Sequence, residues 1–276
     1  MASYLRPREM EQALRALAAG PRVVLAGGTD YYPARVGKPL DDDILDITAI
    51  DALARIEEDE AGWRIPARCT WTGLLAARLP PLFDGLKAAS REVGGVQVQN
   101  AGTICGNLCN ASPAADGVPN LLALDAEVEL ASLAGTRLLP VSAFVLGNRR
   151  TARRPDELVA ALRVRRPARP ARGAFAKLGA RRYLVISIAM AGAVFEVEGG
   201  RVAAARVAVG ACSPVARRLP ALEARLVGLR PGDALPAIGG DDLAPLSPID
   251  DVRGTAAYRR DVVATLLRRM IEGVLT

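Results

Sequence analysis

The chain has 276 residues, half of them hydrophobic, with no histidine and a net charge of +6 carried almost wholly by arginine, since lysine occurs only at Lys38, Lys87 and Lys177. That length supports one large domain or several small ones, each with a core of its own. The missing histidine removes the commonest general base and metal ligand. No stretch approaches the ~18 uninterrupted apolar residues of a membrane span, and MASYLRPREMEQ lacks the apolar region of a secretory signal, so a cytoplasmic protein is expected.

In chain order, Pro7 opens a predicted helix with Met10, Leu14 and Leu17 at helical spacing and Gly20-Pro21 as its stop. A short strand, Val23 to Ala26, runs into the glycine turn GGTD, where backbone N–H groups are free to meet an anion. Ile44 to Thr48 reads as a second strand. IEEDEAGWRIPA then reads as a hairpin, and TGLLAARLPPLFDGLKAASREVG as helical pieces broken by Pro80-Pro81.

The segment from Gly94 to Asp125, GGVQVQNAGTICGNLCNASPAADGVPNLLALD, looks built to hold a ligand. Its small residues allow close backbone approach, and Thr103, Asn107 and Asp116 offer convergent polar groups. It is expected to be a loop anchored between packed elements. The bland alternatives are that Asp116 caps a helix, Thr103 is a strand-end hydroxyl and Lys177 is a solvated charge. Cys69, Cys105, Cys109 and Cys212 form no C-x-x-C pair, so reduced, buried thiols are expected. Cys105 and Cys109 alone cannot complete a four-ligand metal site.

AEVELASLAGTRLLPVSAF reads as a further hairpin. The basic stretch from Arg149 to Arg172 is expected to be solvated or to face another subunit. Nucleic-acid binding is disfavoured there by the absence of aromatic residues and by its prolines. RRPARPAR, Arg165 to Arg172, is the best domain boundary, dividing the chain into units over 1–50, 51–166 and 173–276. Beyond it, AMAGAVFEVE and RVAAARVAVGAC flank Gly199-Gly200 as a hairpin. A final helix places Tyr258, Val262, Val263, Leu266, Leu267, Met270, Ile271 and Val274 on one face, with arginines expected in solvent on the other.

Two blocks in the correct order carry a family resemblance. They are Ala26, Gly27, Gly28, Thr29 and Asp30, and then Gln97, Asn100, Gly102, Thr103, Ile104, Gly106, Asn107, Ala111, Ser112, Pro113 and Asp116. The chain resembles the FAD-binding (medium) subunit of the molybdenum hydroxylases, the carbon monoxide dehydrogenase medium-subunit and xanthine dehydrogenase FAD-binding subunit family. PDELV, FAKLGAR and DVRGTAAYRR extend the resemblance over the whole chain.

The resemblance implies an α+β protein: a two-lobed FAD-binding domain of the PCMH type, then a small C-terminal α+β domain with an antiparallel sheet and helices. It implies noncovalent FAD, with both glycine segments meeting the diphosphate, Asp116 on the ribityl or flavin side and Lys177 near the isoalloxazine ring. The implied cofactor contacts are Leu25, Ala26, Gly27, Gly28, Thr29, Asp30, Thr103, Ile104, Cys105, Gly106, Asn107, Asp116, Val159, Lys177 and Tyr183, with no catalytic residue and no metal ligand.

This sequence departs from the family pattern at Cys105, which replaces a glycine, at Gln99, which replaces a frequent arginine, and at Leu184 and Val185 beside Tyr183. The implied function is an electron-transfer flavoprotein subunit of a molybdenum hydroxylase complex. Molybdopterin and 2Fe-2S clusters are expected only in partner chains, in a dimer of heterotrimers that passes electrons to an external acceptor. The alternatives are a stand-alone FAD-dependent oxidoreductase and a cofactor-free scaffold or nucleic-acid-binding subunit.

Overall fold

The computed structural model describes residues 2–182, 184–230, 232–235 and 237–275. The N-terminal segment forms a three-stranded parallel sheet in the order β1-β3-β2, from β1 (Tyr4–Leu5), β2 (Val23–Leu25) and β3 (Ile44–Asp46), with α1 (Met10–Ala19) between β1 and β2. Helix α1 buries Ala13 and Leu17 and packs Met10 and Leu14 against the same core, as the spacing predicts. It starts at Met10 with Glu9 as its N-cap, so Pro7 lies outside it. β1 has two exposed residues and no sequence signature of its own.

A five-stranded antiparallel sheet in the order β4-β5-β10-β6-β7 follows. Its strands are β4 (Glu57–Glu58), β5 (Gly62–Pro66), β6 (Glu127–Ser132), β7 (Gly135–Pro140) and β10 (Leu158–Arg165). Between β5 and β6 run α2 (Trp71–Ala76), α3 (Asp84–Glu92), α4 (Val96–Ala101), α5 (Ile104–Asn110) and α6 (Gly117–Ala123). The segment expected to be a loop is therefore mostly helix. After β7 come the single turn α7 (Val141–Phe144) and a small hairpin of β8 (Val145–Gly147) and β9 (Arg150–Thr151).

β10 corrects the reading of the basic stretch. It is the central strand of its sheet, with Leu158, Val159, Ala160, Ala161, Leu162 and Val164 buried. Its arginines project to carboxylates on the neighbouring strand β6, Arg163 to Glu129 at 2.6 Å and Arg165 to Glu127 at 3.1 Å. Arg166 meets Glu58 at 2.8 Å and Arg169 meets Glu198 at 2.9 Å, so much of this charge is satisfied within the chain.

The remaining sheet has the order β11-β12-β13-β14, from β11 (Ala171–Leu178), β12 (Ala189–Glu198), β13 (Arg201–Gly210) and β14 (Arg217–Arg218). The period of two along β12 divides its contacts. Ala189, Ala191, Ala193 and Phe195 share a core with α8 (Pro220–Leu226) and α9 (Ala256–Leu275), while Val194 joins the core that includes Leu86 of α3 and Leu121 of α6. Glycines set how closely helix and sheet approach. A β-carbon on Gly85 would lie 2.6 Å from the Ala174 carbonyl oxygen, and one on Gly173 would lie 2.5 Å from that of Leu82.

In α9, Val263, Leu267, Met270 and Ile271 are buried as expected, but Tyr258 is 46% exposed and does not join them. Arg259, read as solvated, is buried. It donates to the carbonyls of Ile188 and Ala211 and to Asp251 Oδ1 at 2.7 Å, so it fastens α9 to three connecting segments. Among the described residues no helix is long and apolar enough to cross a membrane.

Candidate functional site

The principal cavity, about 940 Å³, lies where the glycine turn after β2, one face of α5, the β8–β9 hairpin and β10 converge. The hydrophobic β2 ends at the buried Leu25, so the turn from Ala26 to Asp30 is delivered at the cavity wall. Gly28 there has φ of 68°, a left-handed conformation that favours glycine. Gly27 packs against the end of α4: a β-carbon on it would lie 1.9 Å from the Ala101 carbonyl oxygen. The two glycine segments thus form one wall.

α5 starts where Thr103, in extended conformation, caps it by accepting a hydrogen bond from the Gly106 N–H at 2.9 Å. Thr103 is a helix cap rather than a strand-end hydroxyl. Thr103, Gly106, Asn107 and Asn110 follow helical spacing along one face, and all line the cavity. With no side chain at Gly106, that face is shallow in the middle. Asn107 Oδ1 accepts from the Gly117 N–H at 3.3 Å and ties α5 to the start of α6.

Ile104 is fully buried and does not line the cavity. Cys105 lines it but is only 3% exposed, and sits within α5 without a positive φ, so its side chain is accommodated as packing. Burial raises every thiol: Cys69 is pushed up to about 12, Cys109 and Cys212 to about 11, and Cys105 well above its ordinary value.

Asp116 stands at the N-cap position of α6 but makes no side-chain cap bond. Its carboxylate accepts from Lys177 Nζ at 2.6 Å and from Ser187 Oγ at 2.6 Å. The Asp116 and Lys177 side chains are 8% and 5% exposed, so neither the capping nor the solvated-charge alternative describes them. Burial raises the Asp116 carboxyl and Lys177 opposes that shift. Lys177 does not itself line the cavity. It also donates to the Glu92 carbonyl at 3.4 Å, which places the charge behind the wall formed by Val93 and Gly94.

Leu25, Ala26, Gly27, Gly28, Thr29, Asp30 and Val159 all line the cavity, while Tyr183 lies outside the described residues. Gln99 donates to the carbonyls of Arg91 and Val93, supporting the α3–α4 connection. Sequence reasoning missed Ser187 and the cavity-lining Trp71, Arg149, Thr151 and Arg153. Trp71 follows Thr70, which caps α2 by accepting from Gly73 N–H at 3.0 Å. The same T-x-x-G pattern recurs at Thr103 and was the available signal.

Comparison with known proteins gives two family matches: the model described as FAD binding domain in molybdopterin dehydrogenase over residues 1–167, and CO dehydrogenase flavoprotein C-terminal domain over residues 174–274. The nicotinate dehydrogenase FAD-subunit of Eubacterium barkeri is 34% identical over 71% of this chain and 69% of its own length. The glyceraldehyde dehydrogenase medium chain of Sulfolobus acidocaldarius is 29% identical over 99% and 98%. A chain in the structure of reconstituted CO dehydrogenase from Oligotropha carboxidovorans superposes with a TM-score of 0.87 at 25% identity, covering 99% of this chain and 96% of that one.

Proposed function

The chain belongs to the family of FAD binding domains in molybdopterin dehydrogenases, as an oxidoreductase subunit, and on that premise we propose that it holds FAD noncovalently and relays electrons within a multi-subunit hydroxylase. The observation that carries this reading is the contact of Gly27 with Ala101, which joins the two glycine segments into one wall with backbone at its closest point. Such a wall suits a diphosphate, because fixed N–H groups bind it with little reorganisation. The cavity of about 940 Å³ lies within the usual range for cofactor sites.

The residues present fit FAD. Gly27, Gly28 and Thr29 would meet the diphosphate together with Thr103 and Gly106, while Leu25 and Val159 supply apolar wall. Asp116 lines the cavity and holds Lys177 behind it, and this buried pair would offer the flavin a polar wall of little net charge. A covalent link is disfavoured because the chain has no histidine and burial keeps Cys109, the partly exposed cavity thiol, protonated. When bound, FAD supplies the redox chemistry of the subunit, accepting electrons singly and delivering them in pairs. This chain's own residues would bind and orient it.

Molybdopterin and 2Fe-2S clusters would reside in partner chains, in keeping with the named FAD-subunit and medium-chain relatives. The test is a visible spectrum of the chain purified alone and with co-expressed neighbours, followed by heat release and chromatography of the chromophore. Near-stoichiometric FAD is expected. A colourless protein that takes up no added FAD, and that shifts in a DNA gel, would overturn the reading in favour of a scaffold.

A further inference from the structure

The far end of α5 carries a feature that the glycine wall does not explain. Arg149, at the tip of the β8–β9 hairpin, has φ of 55°, a left-handed conformation disfavoured for a long side chain. It is held there by two contacts with the end of α5. Its N–H donates to the Ala111 carbonyl at 3.1 Å, and its Nη1 donates to Asn110 Oδ1 at 3.0 Å. Asn110 ends the cavity-facing row that begins at Thr103, about 10 Å away at 1.5 Å per residue.

Arg153 lines the same cavity and donates from Nη1 to three backbone carbonyls, those of Arg154, Pro155 and Glu157. Among the described residues neither guanidinium has a carboxylate partner, whereas Arg137, close by, is paired with Glu157 at 2.6 Å. Arg149 is exposed and Arg153 half-buried at the cavity rim, so both guanidinium groups are open to an anion that enters it. Arg149 spends one of five N–H donors on Asn110, which leaves a planar fork suited to phosphate oxygens.

We infer that Arg149 and Arg153 form a cationic clamp on the phosphate-bearing adenylate half of the cofactor, complementing the N–H groups of the glycine wall with charge. The inference rests on the FAD reading above. It assigns the small hairpin a binding role: the strained tip presents a guanidinium at a fixed distance along α5 from Thr103.

The test measures binding of FAD and of ADP, which has the adenosine diphosphate without the flavin, to the 276-residue chain and to R149A and R149A/R153A, at several salt concentrations. R149A keeps the backbone bond to Ala111 and removes the guanidinium with its bond to Asn110, so the salt slope is the readout that separates charge from loop support. Both ligands should weaken about ten-fold in R149A and further in the double variant, with a shallower salt dependence. Unchanged affinity for either ligand, or weaker binding with an unchanged salt slope, would overturn the clamp. Wild-type chain that binds no FAD at all would instead remove the parent reading, so the two failures are distinct.

Discussion

Lys177 Nζ lies 2.6 Å from Asp116 Oδ2 across 61 residues of sequence, and both side chains are nearly excluded from solvent. Removing one partner of such a pair leaves a buried charge without its counter-ion, which costs about 3–5 kcal/mol. Lys177→Met and Asp116→Asn should therefore each lower the urea midpoint sharply, while the double variant should recover much of the loss. Equal additive losses in the double variant would show that the two groups do not act as a pair.

Gly27→Ala should abolish flavin retention, because its β-carbon would fall 1.9 Å from a backbone oxygen that no rotamer change can move. A destabilisation of about 1–3 kcal/mol is expected from overpacking. Gly273→Ala is the control: a β-carbon there meets nothing within 4 Å, inside α9, so the same chemical change should stabilise by about 0.5–1 kcal/mol. Thermal midpoints together with absorbance at the flavin band report both effects.

The thiols should be slow to react. With Cys109 and Cys212 pushed up to about 11 and Cys69 to about 12 by burial, little thiolate exists at pH 8. A chromogenic disulfide reagent should find four thiols in urea and almost none at early times in the folded chain. Cys109 lines the cavity, so its residual labelling should slow further when FAD is added. Rapid labelling of more than one thiol in the folded chain would contradict the buried placement of Cys69, Cys105 and Cys212.

Acid should act partly through Glu157. Its hydrogen bond from Arg137 lowers its carboxyl below the ordinary value, burial opposes this, and the Arg154 N–H adds to the lowering. Because the folded value is the lower one, the stabilisation is present above the unfolded range near about 4.3 and is lost as pH falls through the folded value. Glu157→Gln should be less stable than wild type at pH 7, and the gap in urea midpoint should close below about pH 4. A gap independent of pH would exclude the ionic origin.

Local pattern was legible and remote pairing was not. The turn after β2, the β6–β7 hairpin and most of the α9 face follow from periods of two and 3.6 and from glycine punctuation. α4, α5 and α6 were hidden because each is only six or seven residues long and rich in small or polar side chains, although Thr103 marked a start. β10 was masked by its arginines, whose alternation around Val164 was itself a strand signal. At the site, the glycine turn and the residues Thr103, Gly106 and Asn107 could be named in advance, but not the helix that aligns them. The partners Ser187 and Lys177 of Asp116, and the burial of Arg259, exist only once distant strands and helices meet.

The close contact of Gly85 with Gly173 has a mechanical consequence. α3 ends beside Val93 and Gly94 at the cavity, and β11, which carries Gly173, ends beside Lys177. With no side chain between them, helix and strand lie backbone to backbone, and any β-carbon at either glycine would have to push them apart. A side chain introduced at either glycine would therefore displace the end of α3 next to Val93 and Gly94 and disturb the cavity wall from a position that does not line it.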